Sequence, residues 1–180
     1  MRIIAGSRKG ARIFAPKGLD TRPTADRVRE AAFNLLGPCG AEDAKVLDLF
    51  AGSGAMGLEA MSRGAAHVTF VESDREACRT INRNLDKLGF DDATVLRQDA
   101  LTALRADARQ GTRYDLVLLD PPYRRFSSLQ KAMIKHLPEI VAPGGMLLVE
   151  TAAEEEPNLP LAKRTTRRYG SARLTLFDAE

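Results

Sequence analysis

The residues with the most specific chemistry in this chain are Asp120-Pro121-Pro122-Tyr123. Two adjacent prolines fix the backbone and remove two N–H donors, so carbonyls stand outward as acceptors. The Asp120 carboxylate and the Pro121 carbonyl can then accept both hydrogens of a single NH2 group. Tyr123 adds an aromatic face on which a planar base can stack. An aromatic amine is a weak nucleophile, because its lone pair is delocalised into the ring. Hydrogen bonds that draw on its N–H groups raise its reactivity, and in-line placement before an electrophilic methyl supplies near-attack geometry. Asp120, Pro121, Pro122 and Tyr123 are therefore the expected catalytic residues. A hydride-transferring dehydrogenase has no use for two prolines in this place.

Three further features could hold a ligand beside that amine. Gly52-Ser53-Gly54-Ala55-Met56-Gly57 follows the apolar run VLDLF (46–50) and matches G-x-G-x-x-G between a strand and a helix. Such glycines permit a tight turn and a close backbone approach, and the helix N-terminus behind them favours an anionic group. The loop fits either the pyrophosphate of a dinucleotide or the methionine end of S-adenosylmethionine. Glu72 ends the next strand, where a carboxylate can accept both hydrogen bonds of a ribose diol. That role fits both cofactors too, and the competing role, helix capping, is predicted to fall to Ser73. Asp99 ends the third strand, where it can accept from an adenine amino group or cap the helix that follows.

These sites need a sheet to present them, and the hydrophobic pattern supplies one. Apolar runs at 46–50, 67–72, 93–99, 114–120 and 146–150 alternate with helical stretches at 58–63, 74–88, 100–108 and 128–137. Near-continuous apolar strands separated by helices predict a parallel sheet covered on both faces. Ser73 and Glu76 read as a capping box for the helix carrying Ala77, Ile81, Leu85 and Leu88. Upstream, residues 1–17 read as a small hairpin. Residues 24–36 read as a helix that Thr24 can cap and Gly37-Pro38 ends. Pro143-Gly144-Gly145 reads as a turn, 151–171 as a polar connection, and 172–177 as a final strand.

The chain has 180 residues, 44% hydrophobic and 28% charged, which fits one globular domain with a small appendage. Its net charge of +3 is unevenly spread: residues 1–36 hold eight of the 27 Lys and Arg but three of the 24 Asp and Glu. A basic arm on a near-neutral body is an electrostatic footprint for a polyanion. Cys39 and Cys78 form no metal-like pair, no apolar run is long enough to span a membrane, and the N-terminus lacks the apolar core of a secretory signal. A reduced, cytoplasmic protein with no metal is expected.

Taken together, the glycine loop, Glu72, Asp99 and the Asp-Pro-Pro-Tyr stretch, at successive strand ends, resemble the class I Rossmann-like methyltransferases that act on amino groups. The N-terminal segment narrows the resemblance. Arg2-Ile3-Ile4-Ala5-Gly6-Ser7-Arg8-Lys9-Gly10, Arg22-Pro23-Thr24 and Asp26-Arg27-Val28-Arg29-Glu30-Ala31 resemble the RsmD family of bacterial 16S rRNA guanine-N2 methyltransferases. The match covers most of the chain and is weakest in 151–171. It implies a seven-stranded, mostly parallel sheet with an antiparallel last strand, a basic extension at 1–23 and a methyltransferase domain at 24–180. It implies S-adenosylmethionine as methyl donor, contacted by Asp48, Phe50, Ala51, Gly52, Ser53 and Gly54, by Glu72 and Ser73, by Asp99 and Ala100, and by Asp120. Arg22 and Thr24 would help to close that pocket. The implied target is a guanine N2 in 16S rRNA on an assembling 30S subunit, met by a monomer.

The expected RNA contacts are Arg8, Lys9 and Arg12 on the hairpin and Arg124 and Arg125 after the Asp-Pro-Pro-Tyr stretch. The last two read equally well as exposed loop charge. The basic residues Lys163, Arg164, Arg167 and Arg168 could add to that surface or be merely solvated. A DNA adenine-N6 methyltransferase would share the stretch, but the chain has no room for a separate target-recognition domain. A non-enzymatic RNA-binding assembly factor would keep the basic arm without needing the Asp-Pro-Pro-Tyr residues.

Overall fold

The computed structural model describes residues 1–16, 23–121 and 126–180, with backbone alone at 23–25 and 126–128. Twelve elements follow one another: α1 (Pro23–Leu36), β1 (Lys45–Leu49), α2 (Ala55–Ser62), β2 (His67–Glu72), α3 (Arg75–Leu88), β3 (Ala93–Arg97), α4 (Ala100–Gln110), β4 (Tyr114–Leu119), α5 (Phe126–Ile140), β5 (Val141–Ala152), β6 (Ala162–Tyr169) and β7 (Ala172–Asp178). The strands form one sheet in the order β3-β2-β1-β4-β5-β7-β6. β1 to β5 are mutually parallel, and β7 runs antiparallel to both β5 and β6. This is the α/β Rossmann-like architecture of class I methyltransferases.

Side chains alternate across the pleat and so divide the core in two. Val46, Val68, Phe70, Leu116, Leu118 and Leu148 face a layer built from α1, α2, α3 and the N-terminal segment. Leu47, Leu49, Val71, Val117, Leu119 and Leu147 face α4 and α5. The central strands are thus buried on both faces, which is why they read as unbroken apolar runs. Among the described residues no helix is long and apolar enough to cross a membrane.

Strand order reverses between β1 and β4, and that crevice, at the strands' carboxyl ends, is where open α/β sheets bind ligands. Register keeps the ends level: Leu49 lies beside Val71 and Leu119, and Leu119 beside Val149. The next residues along these strands therefore open onto a common edge.

Several expectations are corrected. Residues 1–16 do fold back on themselves: the antiparallel bridge Arg2 to Arg12 is framed by Ile3 N donating to Ala11 O at 2.9 Å, Gly10 N to Ile3 O at 2.9 Å and Ile13 N to Met1 O at 3.2 Å, a reversal too short to make regular strands. The segment packs Ile3 and Ile13 into the main core, and its Ile4 N and Ala5 N donate to Glu59 of α2. Helix α1 begins at Pro23, which places Thr24 inside it rather than at its cap. Proline suits a first turn because its missing N–H would have no helical partner there. The cap of α3 is Asp74, whose Oδ1 accepts from Ala77 N at 2.8 Å; Ser73 lies one residue too early to reach it. Strand β5 starts at Val141 and runs through Pro143-Gly144-Gly145, with a register irregularity against β4 that absorbs the proline. The expected polar connection contains β6, whose residues are largely exposed.

Candidate functional site

The loop after β1 carries the local strain. Phe50 sits at φ 73°, a left-handed conformation that is unusual for a bulky residue. It turns the chain so that Ala51 N donates to Val71 O at 2.9 Å and Gly54 N to Ala51 O at 2.7 Å. Gly54, at φ 77°, then starts α2. Gly57 is fixed by close packing: a Cβ there would lie 2.3 Å from the Phe70 ring. Strained, glycine-dependent backbone at the switch point of a sheet is where a ligand's close approach is expected.

Two carboxylates hold this loop. Asp48 is buried and its Oδ2 accepts from Gly57 N at 2.8 Å, tying β1 to the first turn of α2. Burial pushes its carboxyl up to about 7; the Gly57 N–H opposes the rise and the charge of Glu72 adds to it. Glu72 accepts from Gly52 N through Oε2 and from Asp74 N through Oε1, both at 2.8 Å, and Ser73 Oγ donates to Oε1 at 3.3 Å. It thus clips the loop after β1 to the loop after β2. A carboxylate has about four acceptor positions, so these contacts leave room for a diol.

Asp99 caps α4. Its Oδ1 accepts from Thr102 N at 3.0 Å and from Thr102 Oγ1 at 3.2 Å, while Ala100 behind it is buried. The capping role is thus the one in evidence, and it engages one oxygen. Asp120 follows β4 at the crevice, with its surface open to solvent and Pro121 buried behind it. The protein packed around it, then the negative charges of Glu150 and Asp48, push its carboxyl well above the usual range. Water reaching the exposed side of the residue moderates that rise.

Glu150, on β5 beside Asp120, escaped the sequence reading. It completes a set of five carboxylates in or just beyond the carboxyl-terminal parts of five parallel strands: Asp48, Glu72, Asp99, Asp120 and Glu150. The legible signal was an acid closing the apolar run MLLVE, as Glu72, Asp99 and Asp120 close the three runs before it. Such an edge repels anions and favours a cation.

Ser53 joins the loop with its hydroxyl 3.5 Å from Met1 Sδ. Arg22, Pro122, Tyr123, Arg124 and Arg125 lie outside the described residues, and the side chain of Thr24 lies outside them too. Arg8 and Lys9 do not approach this edge. Ser7 N donates to Ser62 O, Arg8 N to Ser62 Oγ, and Arg8 Nε to Leu88 O at 2.6 Å, at the C-terminal ends of α2 and α3. Those ends lie at the opposite edge of a parallel sheet, one α2 length or about 12 Å away. The downstream basic cluster is engaged locally: Lys163 pairs with Glu156, Arg164 with Asp178, and Arg168 with Glu154.

Comparison with known proteins agrees with this geometry. A family model described as Conserved hypothetical protein 95 matches residues 1–178. YlbH, a candidate rRNA methyltransferase of Bacillus subtilis, is 46% identical over 125 residues, 69% of this chain and 67% of its own. Ribosomal RNA small subunit methyltransferase D of Escherichia coli is 45% identical over 125 residues, 69% of this chain and 61% of its own. The aligned stretch thus spans about two thirds or less of these relatives. The solved structure of yhhF, a candidate methyltransferase of Escherichia coli, superposes with a TM-score of 0.87 at 37% identity, covering 100% of this chain and 98% of that one.

Proposed function

Because the chain belongs to the RsmD family, we propose that it transfers a methyl group from S-adenosylmethionine to the exocyclic N2 of a guanine in small-subunit rRNA. The observation that carries this reading is the acidic strand-end edge with Asp120 at the switch point beside the Asp48 loop. A dinucleotide pyrophosphate would meet five carboxylates there. A sulfonium and an α-ammonium group would meet complementary charge, and the N-terminus of α2 would suit the α-carboxylate.

The residues fit that donor. When bound, S-adenosylmethionine supplies an electrophilic methyl on a positively charged sulfur. Residues 50–54 offer a backbone cradle for its amino-acid portion, and Glu72 offers acceptors for its ribose diol. Asp99 has a second carboxylate oxygen, beyond its capping contact, for the adenine amine. Asp120 and the Pro121 carbonyl accept the two N–H bonds of the guanine N2 and so set it in line. As the N–C bond forms and the C–S bond breaks, the nitrogen becomes acidic. Asp120, whose carboxyl is raised by its neighbours, takes the released proton. A guanine held in a helix hides N2 from this crevice, so the base must be unpaired or turned out. Tyr123 would stack on it.

Asp120→Ala is expected to weaken donor binding only severalfold, as one of five carboxylates on the edge, while losing 10²- to 10⁴-fold in turnover, about the range of one positioned acid–base group. Donor titration and single-turnover transfer of labelled methyl to small-subunit particles measure the two. Unchanged turnover would remove Asp120 from the reaction. Mass mapping of the methylated nucleoside, with naked rRNA and particles compared, fixes the atom modified and the substrate form.

A further inference from the structure

A catalytic edge lined by carboxylates repels the phosphates of an RNA substrate, so the cations that hold the strand must lie elsewhere. The outer face of α3 carries them. Arg75, Arg79, Arg83 and Lys87 are all exposed and recur every four residues, a step of about 6 Å along a helix. The row runs about 18 Å, from just past the Glu72 loop down to the N-terminal segment. The acids on this face are Glu76, which sits 3.7 Å from Arg79 with both side chains more than half exposed, and Asp86.

The lower end of the row is built with care. Phe14 is the exposed large hydrophobic residue among those described, 39% open to solvent. Its backbone is fixed by a fully buried side chain: Asn84 Oδ1 accepts from Phe14 N at 2.7 Å, and Asn84 Nδ2 donates to Phe14 O at 3.0 Å. The Arg83 guanidinium lies 4.3 Å and the Lys87 ammonium 4.6 Å from the centre of its ring. Lys87 Nζ also donates to Arg12 O at 2.6 Å, which brings exposed Arg12 to the same spot. An aromatic ring pinned at the surface, with cations set against it, is the chemistry that holds unpaired nucleic acid, where phosphates meet the charges and a base stacks on a ring or guanidinium plane. The downstream cations on β6, by contrast, are largely paired with acids of their own region.

We infer that the outer face of α3, together with Phe14 and Arg12, is the docking track for the rRNA strand that flanks the target base. The inference rests on the reading of the chain as an rRNA methyltransferase, and it adds where the substrate is gripped.

Two double variants test it: Arg83→Gln/Lys87→Gln at the lower end, beside Phe14, and Arg75→Gln/Arg79→Gln at the upper end, where Arg79 faces Glu76. Each is expected to raise both the Kd and the KM for small-subunit rRNA about tenfold at physiological salt. Each should flatten the log–log salt slope of binding by about two, one for each phosphate that is no longer neutralised. Turnover at saturating rRNA and donor affinity should stay within twofold of wild type. Unchanged rRNA affinity and salt slope in both variants would overturn the inference and leave the face to an acidic protein partner. Direct binding separates the two claims. If wild type binds rRNA but methylates none, the proposed reaction fails, while the variants' weaker binding still upholds the track.

Discussion

A carboxylate enclosed as tightly as Asp48 costs stability wherever it is charged. Its carboxyl stands at about 7 in the folded chain against 3.8 as the ordinary value. Between those pH values the folded protein holds a proton that the unfolded chain has released. On this account stability is fullest below about pH 4 and falls as pH climbs through 7, by roughly 4 kcal/mol. Asp48→Asn keeps an acceptor for Gly57 N–H and removes the titration. The variant is expected to match wild type near pH 4 and to exceed it by up to a few kcal/mol at pH 8 in urea denaturation, while binding the sulfonium donor more weakly. A variant less stable than wild type at pH 8 would show that the charge is not costly. The trade identifies why an acid stands here: it fastens the ligand loop and supplies charge to a cation. The sequence made such roles legible where a carboxylate closed an apolar run, as at Glu72 and Asp120. It did not separate the two uses of Asp99, because cap and ligand contact demand the same residue type in the same place.

At the scale of elements, the caps are where short-range signals proved ambiguous. Ser73-Asp74-Arg75-Glu76 offers two capping residues in adjacent positions, and a one-residue shift decides which is used. Asp74 bonds Ala77 N, while Ser73 turns to Glu72. Asp74→Ala is expected to cost about 1 kcal/mol and Ser73→Ala only a few tenths, read from urea midpoints. Equal costs would return the cap to Ser73. Strand β6 was hidden for a different reason. It is an edge strand with little burial, and Lys163, Arg164, Arg167 and Arg168 along it follow the rule that exposed edges carry charge to prevent pairing with other chains. Alternating hydrophobicity marks strands with one buried face, so a strand with none leaves no such mark. The parallel strands were legible because their burial on both faces writes an apolar run directly into the sequence.

The whole molecule treats its N-terminal segment as part of the body rather than as an arm. Its basic composition made it look detachable, because charge is visible in a sequence and its buried partners are not. Glu59, fully buried on α2, accepts from Ile4 N at 2.7 Å, from Ala5 N at 3.0 Å and from Arg63 Nε at 2.8 Å, with Arg29 Nε 3.8 Å away. Removing residues 1–16 would strip two backbone donors from that charge and both partners from the Asn84 amide. It would also uncover the sites of Ile3 and Ile13, worth roughly 1.5–3 kcal/mol each. Breaking a hydrogen bond to a charged group adds about 1.5–3 kcal/mol. The total rivals the roughly 5–15 kcal/mol by which a domain of this kind is stable. The truncated chain is therefore expected to lose its cooperative thermal transition, followed by circular dichroism. If it instead melts sharply near the wild-type temperature, the segment is a separable appendage. On the present geometry, truncation cannot report on RNA contact, because it removes the fold together with the surface. Charge substitutions on α3 change that surface and leave the buried anchors of the segment in place.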